Sequence, residues 1–442
     1  MPRRSFLILL IATAVSYVCY ARGDHDPYCR YVASGLAAIR ENALDPVPSP
    51  NLFDGAMQGM VDVLRRRGDP HSQFLSAAEA SPLRNEIHQQ FGGIGARIGF
   101  EGDPPQLKLV GPIEPNTPAG RAKLLPGDRI LQIDGQPTAG ISRREVLALL
   151  VGEPSTSVRL TIRSPDELQA RTIELVRDVI EIDSILGDRR GPDDHWVFTL
   201  DDDSRIAHIR IVSFGDRTAL EFATVLPQLL GNGVRAIVLD LRDNAGGSLG
   251  AAVAVCEMLL PAGKTIVETR GRGQTVRQTY STKADGKYCN LPVTVIVNQN
   301  SASAAEIVAA CLQDHGRAVV VGQQSFGKGT VQQLLPLGTS LLKLTWASFR
   351  RPSGANIHHT TGTPANAVWG VMPDSGYEHK LSPDEYAAYQ AYRDQRDGNG
   401  DSPAGGDAGN IPTVRSAKSA VFVDEPLRTA EHHLQAKLGD KP

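Results

Sequence analysis

The chain has 442 residues, enough for two or three domains, each with a real core. Hydrophobic residues make up 41% and charged residues 21%, with a net charge of -3, which speaks against a nucleic-acid protein built on clustered basic charge. Its 43 glycines and 29 prolines imply many turns but no collagen-like period, and its five cysteines include no C-x-x-C pair and are too few for a disulfide scaffold.

The chain opens on Arg3 and Arg4, followed by an apolar run from Phe6 to Val18. That length suits a signal h-region better than a full span, which needs about 20 residues. Residues 1–21 are read as a signal peptide cut after Ala21, or as an uncleaved anchor through residues 6–18. Val18 speaks against lipid modification at Cys19, because a small residue belongs there. Either reading exports the chain, to a bacterial periplasm or cell envelope. Disulfides are then permitted among Cys29, Cys256, Cys289 and Cys311. Cys256 and Cys311 sit in apolar helical patterns and read as buried thiols.

Residues 25–90 have helical periodicity, with Leu36, Ile39, Met57, Met60, Val61 and Leu64 as core candidates. Residues 91–180 turn to short strands at 96–100, 106–110, 129–133 and 157–162, with a helix at 142–150 capped by Ser142. Residues 181–378 alternate strands and helices. Near-continuous apolar strands such as AIVLDL and VTVIV predict a sheet buried on both faces. From 379 a polar stretch, Arg393–Asn410, reads as a linker. Leu427, Ala430, Leu434 and Leu438 then mark a short helix docking back on the body. The N- and C-terminal helices are candidate contacts of a homo-oligomer.

Within 91–180, TPAGRAKLLPGDRILQID follows Gly92-Gly93-Ile94-Gly95-Ala96. This block resembles a PDZ domain. The resemblance implies that a peptide adds as an extra strand, with its carboxylate on the backbone N–H groups of Ile94, Gly95 and Ala96 beside Gly93. The same glycines could instead serve only tight strand packing.

Three motifs in the α/β block are candidate active sites. Gly246-Gly247-Ser248-Leu249-Gly250 spells G-x-S-x-G, but five residues separate strand from serine, too many for a sharp elbow. Downstream, His315, His358 and His359 have no context that marks a triad partner. Gly322 to Lys328 spells G-x-x-x-x-G-K, but Gly329 stands where a phosphate loop needs Ser or Thr. Ser303 opens a helix after a strand. There the dipole and free N–H groups can stabilise an oxyanion. Ser303 and Glu306 can equally be a capping box.

Together, DLRDNAGG, SASAAEI and, 25 residues after Ser303, Lys328 in GKGTVQQ resemble the carboxyl-terminal processing (tail-specific) proteases. Asp69-Pro70-His71-Ser72 and the GGIG that follows are similar too. The resemblance spans about residues 30–375 and implies a mixed α/β and β multidomain fold: a helical N-terminal segment, a PDZ-like domain, an α/β (crotonase-like) protease core and a C-terminal helix. It implies Ser303 as nucleophile, Lys328 as general base, and Gln332, one helical turn on, as the residue orienting the lysine. Backbone N–H groups of Gly246 or Gly247 and of Ala304 are the implied oxyanion hole. The substrates are proteins or peptides with free C-termini; no metal or cofactor is implied. The chain departs from the family at Ala305, usually serine, and at Ala245, usually proline. The stretch after Gly354 is also less regular.

A serine hydroxyl is a weak nucleophile until a base takes its proton. A lysine can do so only when neutral, which desolvation favours. Phe326, Val331 and Leu334 flank Lys328, and no acid lies within ten residues of it.

Overall fold

A computed structural model describes residues 26–101, 105–111, 113–165, 167–192, 195–359, 368–397 and 422–439. The leader and most of the linker lie outside these. The chain divides into two compact units, one of residues up to 78 with 333–344, the other of the remainder. Among the described residues no helix is long and apolar enough to cross a membrane.

The first unit holds helices α1 (Pro27–Asn42) and α2 (Ser49–Arg66) and strand β1 (Gln73–Leu75). Asp26 caps α1 by accepting from the Tyr28 N–H at 2.9 Å. Phe53 of α2 meets Phe74 of β1 edge-on at 5.6 Å. β1 pairs antiparallel with Leu341–Lys343. Of the six core candidates here only Val61 is buried, and Ile39 and Met60 are exposed. The helical period is present, but among the described residues these helices bury little of it.

In the second unit, α3 (Ala77–His88) leads to β2 (Gln90–Gly93), which pairs with β9 (Asp178–Glu181). This two-stranded neck is where the chain enters and leaves the middle block. The block's antiparallel sheet runs β3 (Arg97–Glu101), β4 (Gln106–Val110), β5 (Arg129–Ile133), β7 (Ser157–Arg163) and β8 (Arg171–Val176), with β6 (Gln136–Pro137) beside β5. Helices α4 (Pro118–Arg121) and α5 (Arg143–Leu150) complete it. Ser142 and Glu145 form a full capping box on α5. Leu107, Leu109, Ile133, Leu160 and Ile162 alternate inward along the strands and are fully buried.

The core sheet has the order β10 (Ile185–Leu186), β13 (Ile206–Ile211), β14 (Ala236–Asp240), β17 (Val293–Val297), β18 (Ala318–Gly322), parallel from β13 onward. The short β11 (Arg189–Arg190) and β12 (Trp196–Val197) pair with each other. Every residue of β13, β14 and β17 is buried. Ile237 and Leu239 join the cluster under α6 (Thr218–Gly231), α7 (Leu249–Leu259) and α8 (Ala304–Asp314). Ala236 and Val238 point the other way, to Leu427, Ala430 and Leu434. Those three belong to α10 (Glu425–Leu438), which docks as its apolar stripe predicts. The unbroken apolar strands follow from this burial on both faces.

β15 (Thr265–Arg270) pairs with β16 (Val276–Ser281) on one side and with β20 (Ser340–Arg350) on the other. β19 (Thr330–Leu337) precedes β20. The region from 379 is not simply linker and one helix: α9 (Pro383–Arg396) fills much of it. Arg393, placed in the linker by its polarity, is buried, donating to the Asp188 carbonyl at 2.6 Å and to Asp397 at 2.8 Å. Tyr389 is buried with the Arg242 guanidinium 4.4 Å from its ring centroid. Ion pairs and aromatic rings hold α9, so it lacks the leucine stripe that marks a docked helix. Cys256, Cys289 and Cys311 are free thiols, with Cys256 and Cys311 buried as expected.

Candidate active site

Ser248 is an ordinary N-cap. Its φ is -65°, and its hydroxyl accepts from the Ala251 N–H at 3.3 Å. The loop from Gly322 to Lys328 leaves β18 and enters β19, so it opens no helix and builds no phosphate cradle. Neither motif forms the nucleophile elbow or phosphate loop that it spells.

Ser303 differs from both. It precedes α8 with φ 55° and ψ -113°, a left-handed backbone that costs a side-chain-bearing residue about 1–2 kcal/mol. Glu306 holds that strain. Its Oε2 accepts the Ser303 N–H at 2.8 Å and the Lys328 N–H at 2.8 Å. Its Oε1 accepts the Ser325 hydroxyl and the Gly327 N–H, each at 2.6 Å. The carboxyl is fully buried; burial pushes its pKa up, against the four hydrogen bonds that pull it down. Sequence reading gave Glu306 only a capping role. Three of its four donors come from 19 to 22 residues on, and no local pattern announces that.

The glycine loop after β14 closes on Ser303. Gly246 has φ 103°, and a Cβ there would lie 2.7 Å from the Ser303 Cβ and 3.0 Å from the Ala304 N. Its own N–H donates to Asn244 Oδ1 at 2.8 Å. The expected oxyanion role of Gly246 is therefore corrected: it supplies room, and its N–H is already used. At Gly247, φ is 133° and a Cβ would meet the Phe214 carbonyl oxygen at 2.0 Å. The bridge to Phe214 uses the Gly246 carbonyl and the Ser248 N–H, leaving the Gly247 N–H outside it. The Ala304 N–H, in the first turn of α8, has no intrahelical acceptor.

Lys328 is half-buried, between two glycines that the packing requires. A Cβ at Gly327 would meet the Trp369 ring at 2.7 Å and the His359 Cβ at 2.8 Å. One at Gly329 would meet the His358 Cβ at 2.7 Å. The strap 357–359 lies against the loop: the His359 N–H donates to the Gly327 carbonyl at 2.8 Å, and the Gly329 N–H to His358 Nδ1 at 3.3 Å. Phe349 of β20 donates its N–H to the Gly329 carbonyl at 2.9 Å. The nearby acid that sequence distance excluded does arrive, as Glu306, but it binds the backbone of Lys328.

Gln332 is not one helical turn beyond Lys328, because the chain there is strand β19. Four extended residues span about 13 Å. The Gln332 Nε2 donates to Thr330 Oγ1 at 2.9 Å and approaches Thr345 Oγ1 at 3.5 Å.

In the middle block, Ile94, Gly95 and Ala96 form the turn from β2 into β3, which is the outer strand of its sheet. Gly95 has φ 70°, and a Cβ there would sit 2.4 Å from the Thr117 Cβ. Ile94 is buried, and its carbonyl accepts the Ala119 N–H at 2.9 Å. Gly93 is taken up in the β2–β9 pairing opposite Asp178, outside that turn.

Residues 205–375 match peptidase family S41, and residues 109–164 match a PDZ domain. The carboxy-terminal-processing protease of Bartonella bacilliformis is 33% identical over 360 residues, covering 80% of this chain and 78% of that protein. The carboxyl-terminal-processing protease of a Picosynechococcus species is 32% identical over 326 residues, covering 73% of this chain and 72% of its own. The solved photosystem II D1 C-terminal processing protease is 26% identical, with a TM-score of 0.41, covering 79% of this chain and 86% of that one. At 33% identity to the Bartonella protein over 80% of this chain and 78% of that one, this protein belongs to the carboxy-terminal processing proteases, serine peptidases of family S41 that carry a PDZ domain.

Proposed function

We propose that this chain cleaves proteins near their C-termini with Ser303 as nucleophile and Lys328 as base. The observation that carries this reading is Glu306, which fixes the backbones of both residues through one buried carboxylate. The Ser303 hydroxyl attacks the peptide carbonyl while neutral Lys328 takes its proton. The oxyanion is met by the N–H groups of Gly247 and Ala304. Lys328 returns the proton to the leaving amine, and water then frees the acyl-enzyme with Lys328 again as base. Gln332 acts along β19, through Thr330, on the strand that leaves the lysine. The PDZ block takes the substrate's free carboxylate in the turn 94–96, and the tail adds along β3. Action outside the cytoplasm belongs to the same reading and rests on the basic, apolar residues 1–21.

The test incubates wild type, Ser248→Ala and Ser303→Ala with an unstructured protein bearing an apolar tail. Cleavage lost in Ser303→Ala alone is the expected result. Full cleavage by Ser303→Ala overturns the reading, and loss in Ser248→Ala alone places the chemistry at Ser248. A tail-blocked (amidated) substrate should bind more weakly, because the carboxylate cradle loses its anion.

A further inference from the structure

The lysine loop is held from two sides. Glu306 takes the N–H groups of Gly327 and Lys328 on one side. The strap 357–359 takes the opposite side, and one of its contacts depends on protonation. His358 Nδ1 faces the N–H of Gly329, the residue next to Lys328, at 3.3 Å. Nitrogen accepts such a bond only through its lone pair, so the contact needs an imidazole unprotonated at Nδ1. An imidazolium would set N–H against N–H. The strap packs tightly on the loop there, since a Cβ at Gly329 would meet the His358 Cβ and N at 2.7 Å each.

We propose that His358 is a positioning residue for Lys328, accepting from the Gly329 N–H beside it only while its imidazole is neutral. This inference rests on the Ser303–Lys328 reading. The titratable groups around the ring are His359 on the same strap, stacked on Trp369 at 4.2 Å, Lys328 on the loop, and Glu306 on the loop's far side. Burial pushes the His358 pKa below its ordinary value, opposed by a hydrogen bond to the Gly327 backbone, while His359 adds to the lowering. A neutral ring near physiological pH fits the position. As pH falls, the loop would lose the Gly329 N–H bond to His358 Nδ1 while Lys328 loses its basicity. Activity should then fall with one more proton than lysine titration alone requires.

The experiment measures kcat and KM from about pH 5 to about pH 9 for wild type, His358→Gln and His358→Ala, with Ser303→Ala as control. Glutamine keeps an acceptor on a side chain of similar reach and does not titrate. At the alkaline end His358→Gln should stay within about threefold of wild type, while His358→Ala loses about tenfold in kcat with KM little changed. Below the His358 pKa, the ratio of His358→Gln to wild-type kcat should climb by up to about tenfold per pH unit. A ratio flat across the range overturns the proposal. So does a His358→Ala enzyme with wild-type kcat, or a His358→Gln enzyme no better than alanine at the alkaline end. Cleavage by Ser303→Ala would instead overturn the underlying site.

Discussion

Ser303 and Lys328 stand 25 residues apart in sequence, yet their backbone N–H groups donate to the same oxygen, Glu306 Oε2, at 2.8 Å each. The strained φ of 55° at Ser303 is thereby tied to the loop that carries the lysine. Removing that oxygen should disturb both groups together. In Glu306→Gln, an NH2 group replaces one acceptor and confronts N–H or O–H donors. A loss of about 100-fold in kcat is expected, with a folded enzyme. Glu306→Ala strands four buried donors and should cost about 3–5 kcal/mol of stability. Steady-state kinetics and urea unfolding of the two variants check this.

Gly246 and Gly250 are both glycines of the formal G-x-S-x-G, and they should respond in opposite ways. A methyl at Gly246 meets the Ser303 Cβ at 2.7 Å and the Ala302 carbonyl oxygen at 2.8 Å. Gly246→Ala should therefore displace the serine and lower kcat at least about 100-fold. A methyl at Gly250 meets nothing closer than the Ser248 hydroxyl at 3.6 Å. Gly250→Ala should keep full activity and gain up to about 1 kcal/mol from helix propensity. Cleavage assays and melting curves on the pair separate the two outcomes.

Glu431 on α10 gives a signed pH dependence. Burial, then the charges of Asp202, Asp203 and Asp188, raise its pKa to about 7. Its folded value lies above its unfolded one, so the folded state binds the proton more tightly. The stabilisation from that proton is full at acid pH and is lost as pH rises through about 7. Glu431→Gln should accordingly stabilise the protein by on the order of 1 kcal/mol at about pH 8, and less as the pH is lowered below neutrality. Denaturant unfolding at several pH values measures this; a gain that grows toward acid pH would contradict it.

The terminal helix supplies a further case. Leu434 is fully buried against the sheet face formed by Ala236, Val238, Ile296 and Val321. Leu434→Ala should cost about 2–5 kcal/mol. The helix is also pinned at its start, where Asp424 accepts both terminal nitrogens of Arg242 at 2.9 Å. Asp424→Ala leaves a buried guanidinium with only Asp240 and should cost about 3 kcal/mol. Chemical unfolding of each variant provides the comparison.

The sequence patterns that survive are those with one dominant cause. The strands AIVLDL and VTVIV read correctly because burial on both faces leaves no polar alternation to mistake. Ser303 and Lys328 stand out only as a pair, since each alone passes for a cap or a glycine turn. What stayed hidden depends on contacts between distant segments. Glu306 obeys the capping rule and so conceals its second role. His358 and His359 have no local pattern, yet the Cβ room at Gly327 and Gly329 is theirs. Gln332 lies four residues past Lys328, a spacing that is one turn only on a helix, and the backbone there is strand β19. α9 looks like a linker because arginines and tyrosines, not leucines, fix it.

The sheet that carries the serine has its second face covered by residues 425–438. During synthesis, Ser303 and Lys328 leave the ribosome roughly 100 residues before that cover does, about 5–20 seconds at ordinary elongation rates. Throughout that interval Val238, Ile296 and Val321 face water, and Arg242 lacks its second carboxylate. Helix α10 therefore completes the second face of the sheet only after Ser303 and Lys328 have both emerged.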